Sequence, residues 1–165
     1  MRKILFPLLL LFAAVVILIP SVQVEAATAE KNSIANPFIV YTTLDELKNA
    51  AAFEIKSPKL MPTNYQESYH AMLNTEKMIE VFYKKDAEEI IYRMAPREDG
   101  SDISGDYNKY AQQKTLLCND LKITTKGTNH LIRLAIWHDA GNTYSLSFSE
   151  GISADMLMAI IQNIN

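Results

Sequence analysis

The sequence predicts an α+β fold: a single antiparallel sheet of about seven strands, with an N-terminal and a C-terminal helix packed on it. Three observations lead there. Short runs rich in β-branched and aromatic residues alternate apolar with polar positions through the second half of the chain. Tight turns join most of these runs, which favours antiparallel neighbours. Helical spacing of apolar residues is confined to two places, one near each end of the folded part.

The first segment is an address. Arg2 and Lys3 precede an apolar run from Ile4 to Ile19, Pro20 breaks it, and Val24-Glu25-Ala26 places small residues where signal peptidase reads them. Residues 1–26 therefore read as a signal peptide cut after Ala26, leaving a secreted, extracytoplasmic protein with no stable membrane anchor. A spanning helix needs roughly 20 apolar residues, and this run is shorter. Taking 26 residues from 165 leaves 139, and the loss of two basic residues and one acidic one moves the net charge from −3 to −4. An acidic chain without a basic stripe argues against a nucleic-acid partner. The lone Cys118 forms no internal disulfide, which suits a bacterial envelope.

The rest follows in chain order. Residues 27–36 are small and polar and read as a flexible leader, so the single domain spans 37–165. Thr43 with Glu46 makes a capping box, and Leu44, Leu47 and Ala51 share a face, predicting a helix of about two turns. Residues 53–58 alternate and stop at Pro58, as a strand would. Strands are expected at 67–73, 78–84 and 89–94, then at 114–118 and 121–126. Between these groups, residues 97–110 hold two glycines, two serines and several acids, and read as a loop with a helical turn starting near Asp106. Ser153 caps a final helix whose Leu157, Ile160, Ile161 and Ile164 form one apolar stripe.

Residues 130–148 form the hairpin around which the fold is organised, with Gly141 supplying the positive φ of a tight turn. Symmetric pairing about Ala140 and Gly141 sets Trp137 opposite Tyr144 and Ile136 opposite Ser145, which divides the apolar residues between two faces. A one-residue shift unites them. Burial rewards the union at roughly 25 cal/mol per Å². The shifted register is therefore expected, with a bulge or odd-length loop at residues 140–142, and Leu134 and Leu146 against the terminal helix stripe.

Reactive constellations are scarce. Cys118 sits beside Leu116 and Leu117 and reads as a buried hydrophobe rather than a nucleophile paired with His130 or His138. His70, His130 and His138 lack metal-ligand spacing. The acidic loop offers hard oxygen atoms, so Asp99, Asp102 and Asp106 are a weak calcium candidate, although Gly105 falls too early for an EF-hand if Asp102 opens the loop. No catalytic or cofactor-binding residue and no cofactor is assigned.

The segment from Asp102 to Asn108, with Ala135-Ile136-Trp137 ahead of Tyr144-Ser145-Leu146, resembles an extracytoplasmic domain-of-unknown-function family of Gram-positive bacteria. Members of that family occur as small secreted proteins of gut anaerobes and as outer domains of anti-sigma-factor-like membrane proteins. The resemblance runs from Asn36-Pro37-Phe38 to the terminal helix and brings no catalytic residues with it. It implies a secreted, non-enzymatic envelope module that binds or regulates through an unknown envelope ligand or protein. The alternative is a hydrolase that attacks envelope polymers with carboxylates of the acidic loop.

Overall fold

The computed structural model describes residues 36–165. The signal peptide, its cleavage after Ala26 and the leader up to residue 35 lie outside the described residues. The elements run β1 (Ile39–Tyr41), α1 (Leu44–Ala50), β2 (Gln66–Leu73), β3 (Met78–Lys85), β4 (Glu88–Ala95), β5 (Gln112–Cys118), β6 (Leu121–Thr128), β7 (Leu131–Asp139), β8 (Asn142–Ile152) and α2 (Ala154–Ile161). All eight strands join one antiparallel sheet in the order β1-β2-β3-β4-β8-β7-β6-β5. Two four-stranded meanders thus meet at β4 and β8, and the 16 residues of segment 96–111 carry the chain from the centre to the far edge. The α+β layout is as expected, with eight strands rather than seven. No helix among the described residues is long and apolar enough to cross a membrane.

The helix caps form as the sequence predicts. Thr43 Oγ1 accepts from the Glu46 amide at 3.1 Å, while Glu46 Oε2 accepts from the Thr42 amide at 2.9 Å, one residue earlier than a standard capping box. Ser153 Oγ accepts from the Met156 amide at 3.3 Å. Leu47 of α1 and Leu157, Ile160 and Ile161 of α2 belong to the same buried cluster as Ile79, Val81, Tyr92, Trp137, Tyr144 and Leu146 of the strands. Cys118 is buried in that cluster too.

Three expectations need correction. Residues 53–58 form no strand. They run as an extended segment whose only sheet-like contact is a bridge from Pro58 to Ile164, supported by reciprocal bonds between Ser57 and Asn165. The Lys59 amide adds one more bond, to the Asn163 carbonyl at 2.8 Å, so the contact spans three residues around Pro58, whose missing N–H is not needed there. The strand missing from the expected set is β1, three residues long, with Ile39 47% and Val40 55% exposed. The helical turn near Asp106 is absent, because side chains rather than backbone carbonyls satisfy the amides there.

The hairpin also departs from expectation. Trp137 pairs with Tyr144, Ile136 with Ser145 and Ala135 with Leu146, which is the symmetric register. The irregularity lies at the other end of the hairpin, between Ile132 and Leu134. The reason is that both faces are buried. Trp137, Tyr144 and Leu146 lie on the face that shares its core with the helices, whereas Leu134, fully buried, and Ile136, 8% exposed, lie on the opposite face with Ser145 and Ser147. With both faces covered, slipping the register gains nothing. Leu134 therefore does not belong to the cluster that holds the α2 stripe.

Candidate functional site

What covers the second face is the acidic loop. Its path can be followed by its contacts: Arg97 O accepts from Thr143 Oγ1 of β8 at 3.0 Å, and Asp102 pairs with Lys126 of β6 at 3.1 Å. The Ile103 and Ser104 carbonyls both accept from the Arg93 guanidinium of β4. Ile103 closes a small apolar cluster with Met78, Ala95, Phe38 and Leu73. Gly105 has φ +63 and lies where a Cβ would stand 2.6 Å from Arg93 Nη1, so this residue must be glycine for the loop to approach the sheet.

Arg93 is the anchor. Its Nε donates to Glu80 Oε2 at 2.6 Å, and the two residues are direct cross-strand partners on β3 and β4. Glu80 is 5% exposed, so both charges are largely out of water and are held by each other and by the loop carbonyls.

The loop's own carboxylates fold it locally. Asp99 accepts from the Ser101 amide at 3.1 Å, Asp102 from the Ser104 amide at 2.9 Å, and Asp106 from the Asn108 amide at 2.8 Å. These are successive Asx turns. The Tyr110 hydroxyl also donates to Asp106. The bond from the Ser101 amide lowers the Asp99 carboxyl. Burial pushes the Asp102 and Asp106 carboxyls up, but bonds from Ser104 and Lys126 on the first, and from Tyr110 and Asn108 on the second, outweigh it and leave both below the usual carboxylate range. The three calcium candidates thus lie in three separate turns. No group of three or more His, Cys, Asp or Glu among the described residues is placed to hold a metal ion.

Beside the loop runs an open groove of about 520 Å³, lined among others by Glu89, Ile91, Asp106, Tyr110, Arg133 and Ser147. A bulge shapes its end. Arg133 alone stands between Ile132 and Leu134 on β7, opposite the four residues Phe148, Ser149, Glu150 and Gly151 of β8. Gly151, at φ +81, leaves room where a Cβ would meet Leu131 and the Arg133 stem. Glu89 is paired with Lys84 at 3.2 Å, and its amide donates to Ser149 Oγ at 2.8 Å. Burial and the bond to Asp106 push the Tyr110 hydroxyl up to about 12, with the Arg133 charge pulling the other way.

The family model of the domain of unknown function DUF4367 matches residues 55–164, which is 110 of 165 residues. The chain belongs to the DUF4367 family. No curated protein and no solved structure matches it at a significant level. The DUF4367 match takes in the sheet from β2 to β8, the acidic loop and the groove, and leaves β1 and α1 outside.

Of the three calcium candidates Asp99, Asp102 and Asp106, Asp106 alone lines the groove. Arg93, Glu80 and Arg133 were missed. The signal was present: Glu80 and Arg93 are single charges of opposite sign in otherwise apolar runs, equidistant from the Asp86-Ala87 turn, and Arg133 interrupts Ile132 and Leu134. His70 is buried against Glu67 at 3.0 Å, away from the groove.

Proposed function

We propose that this chain is an exported, non-enzymatic module of the bacterial envelope that captures a ligand or partner protein in the groove beside the acidic loop. The observation that carries the reading is the state of the loop carboxylates: each is tied into a turn and held ionised. A glycoside or peptide hydrolase needs one acid raised so that it can give up a proton near neutrality. Lowered carboxylates that accept backbone bonds serve instead to hold the shape of a wall. The signal-peptide pattern at the N-terminus supports export. The likeness to outer domains of anti-sigma-factor-like proteins of Gram-positive bacteria supports a regulatory use of the captured ligand.

The test is capture from native envelope extract with the purified chain, against Ile91→Arg, which fills the groove, and Leu117→Arg, which alters the exposed outer strand. A bound species lost only in Ile91→Arg supports the groove. Loss only in Leu117→Arg moves the binding surface to β5. Incubation with envelope polymers is the companion assay: release of soluble fragments that disappears in Asp106→Asn establishes the hydrolase instead.

A further inference from the structure

The groove's chemistry names a ligand class, and this step rests on the binding reading above. Arg133 is half-buried and has no ion-pair or hydrogen-bond partner among the described residues. This is unusual company for a guanidinium, which presents five donors in a fixed fork and costs free energy when left unpaired and partly desolvated. Arg93, the other arginine of the second face, shows what a satisfied one looks like: a carboxylate and two carbonyls.

The groove's acids do not fill the gap. Glu89 is cancelled by Lys84. Asp106 is bonded to Tyr110 and Asn108. Counting Arg133 and Lys109 against Asp106 leaves the groove one charge positive, on a chain whose net charge is −3. Near Arg133 stand Ser147, whose hydroxyl bonds to nothing among the described residues, and Ser149, whose oxygen accepts from Glu89 and whose proton remains to be given. Ile91, the cross-strand partner of Ser147, supplies an apolar surface beside them.

We propose that the groove takes its ligand by an anionic group, a carboxylate or a phosphate, seated on the Arg133 fork with the Ser147 and Ser149 hydroxyls, and with an apolar body against Ile91. A guanidinium reads planar paired oxygens through two parallel bonds, so a neutral isostere of the same shape loses most of the attraction.

The experiment titrates the ¹⁵N-labelled full chain with benzoate, phenyl phosphate and benzamide. Benzoate or phenyl phosphate, or both, should shift amides of residues 89–91, 106–110, 133 and 147–149, with affinity at least tenfold above that of benzamide. The tighter of the two tells which anion the groove prefers. Arg133→Gln should weaken the anion at least tenfold, while Lys114→Gln on the far strand should not. Benzamide binding as well as benzoate, or no shifts at these residues with either anion, overturns the inference, and this comparison on the unmodified chain does not depend on any variant folding. An envelope species whose capture is lost in Ile91→Arg yet kept in Arg133→Gln overturns the anion while leaving the groove in place.

Discussion

Two adjacent rows of residues cross all eight strands, and they show how differently the two faces of one sheet are held. On the first face the row reads Ile39, Met72, Ile79, Met94, Tyr144, Trp137, Ile123, Leu116, apolar from edge to edge. On the second it reads Val40, Ala71, Glu80, Arg93, Ser145, Ile136, Thr124, Thr115. The first row shares its core with helices and is stabilised by area. The second is covered by a loop, whose backbone must find hydrogen bonds, so it carries a buried ion pair and hydroxyls where the first carries aromatics. Area tolerates exchange of one hydrophobe for another. A buried ion pair that also bonds loop carbonyls does not.

The largest effect is expected on the first face. Trp137 stacks on Tyr144 at 5.2 Å between centroids and 8° between planes, and both are buried. Trp137→Ala should cost about 3–5 kcal/mol in urea unfolding. A cost under about 1 kcal/mol means that the first face is not the main core.

Next comes the ion pair. Glu80→Ala leaves Arg93 buried with no acid and should cost about 3 kcal/mol, while Glu80→Leu with Arg93→Met should recover most of that loss. The double variant is also the sharper probe: it should retain stability yet loosen the loop, seen as faster amide exchange at residues 103–105. Unchanged exchange there removes Arg93 as the anchor.

Leu134→Ala tests whether the second face is a core at all. Leu134 is fully buried, so a loss of about 2–3 kcal/mol is expected from calorimetry. If the loss is nearer zero, the loop covers the strand without packing on it.

The smallest effect is electrostatic. The Asp102 and Asp106 carboxyls lie below their ordinary range in the folded chain. Depressed folded values give stability that is present above the unfolded carboxylate pKa and is lost as pH falls through the folded one. Stability should therefore decline on acidification below about pH 4. Asp102 is exposed, so Asp102→Asn should remove less than about 1 kcal/mol of that dependence. Acid profiles of the variant and the parent that superimpose would place the loop's support elsewhere.

Much of the fold was legible because local rules suffice for hairpins and caps. Thr43, Ser153 and Gly141 specify their own conformations, and strands β2 to β8 follow from period-2 alternation between turns. Residues 53–58 misled because a strand pattern says nothing about whether a partner is free to pair. The register of β7 and β8 misled because a face was counted as solvent-exposed until the loop was seen to cover it. Alternation reports that two faces differ, not what lies above each. The groove was least legible: Arg133 and Ser147 meet Tyr110 only through a crossover that takes the loop over three strands, and no local spacing encodes such a meeting.

The strand order has a further consequence. β8 is the last strand in the chain and sits at the middle of the sheet, where it pairs with β4 across sequence separations of 48 to 58 residues. Every other strand pairing joins sequence neighbours. A chain emerging N-terminus first can zip β1 through β4 early, but β4 then waits with one edge bare until residues 142–152 arrive. A bare edge is a template for the wrong partner. Late closure of the most distant contact also makes assembly slow for a domain of this size. The eleven residues of β8 therefore decide whether the half-built molecule closes on itself or on its neighbour.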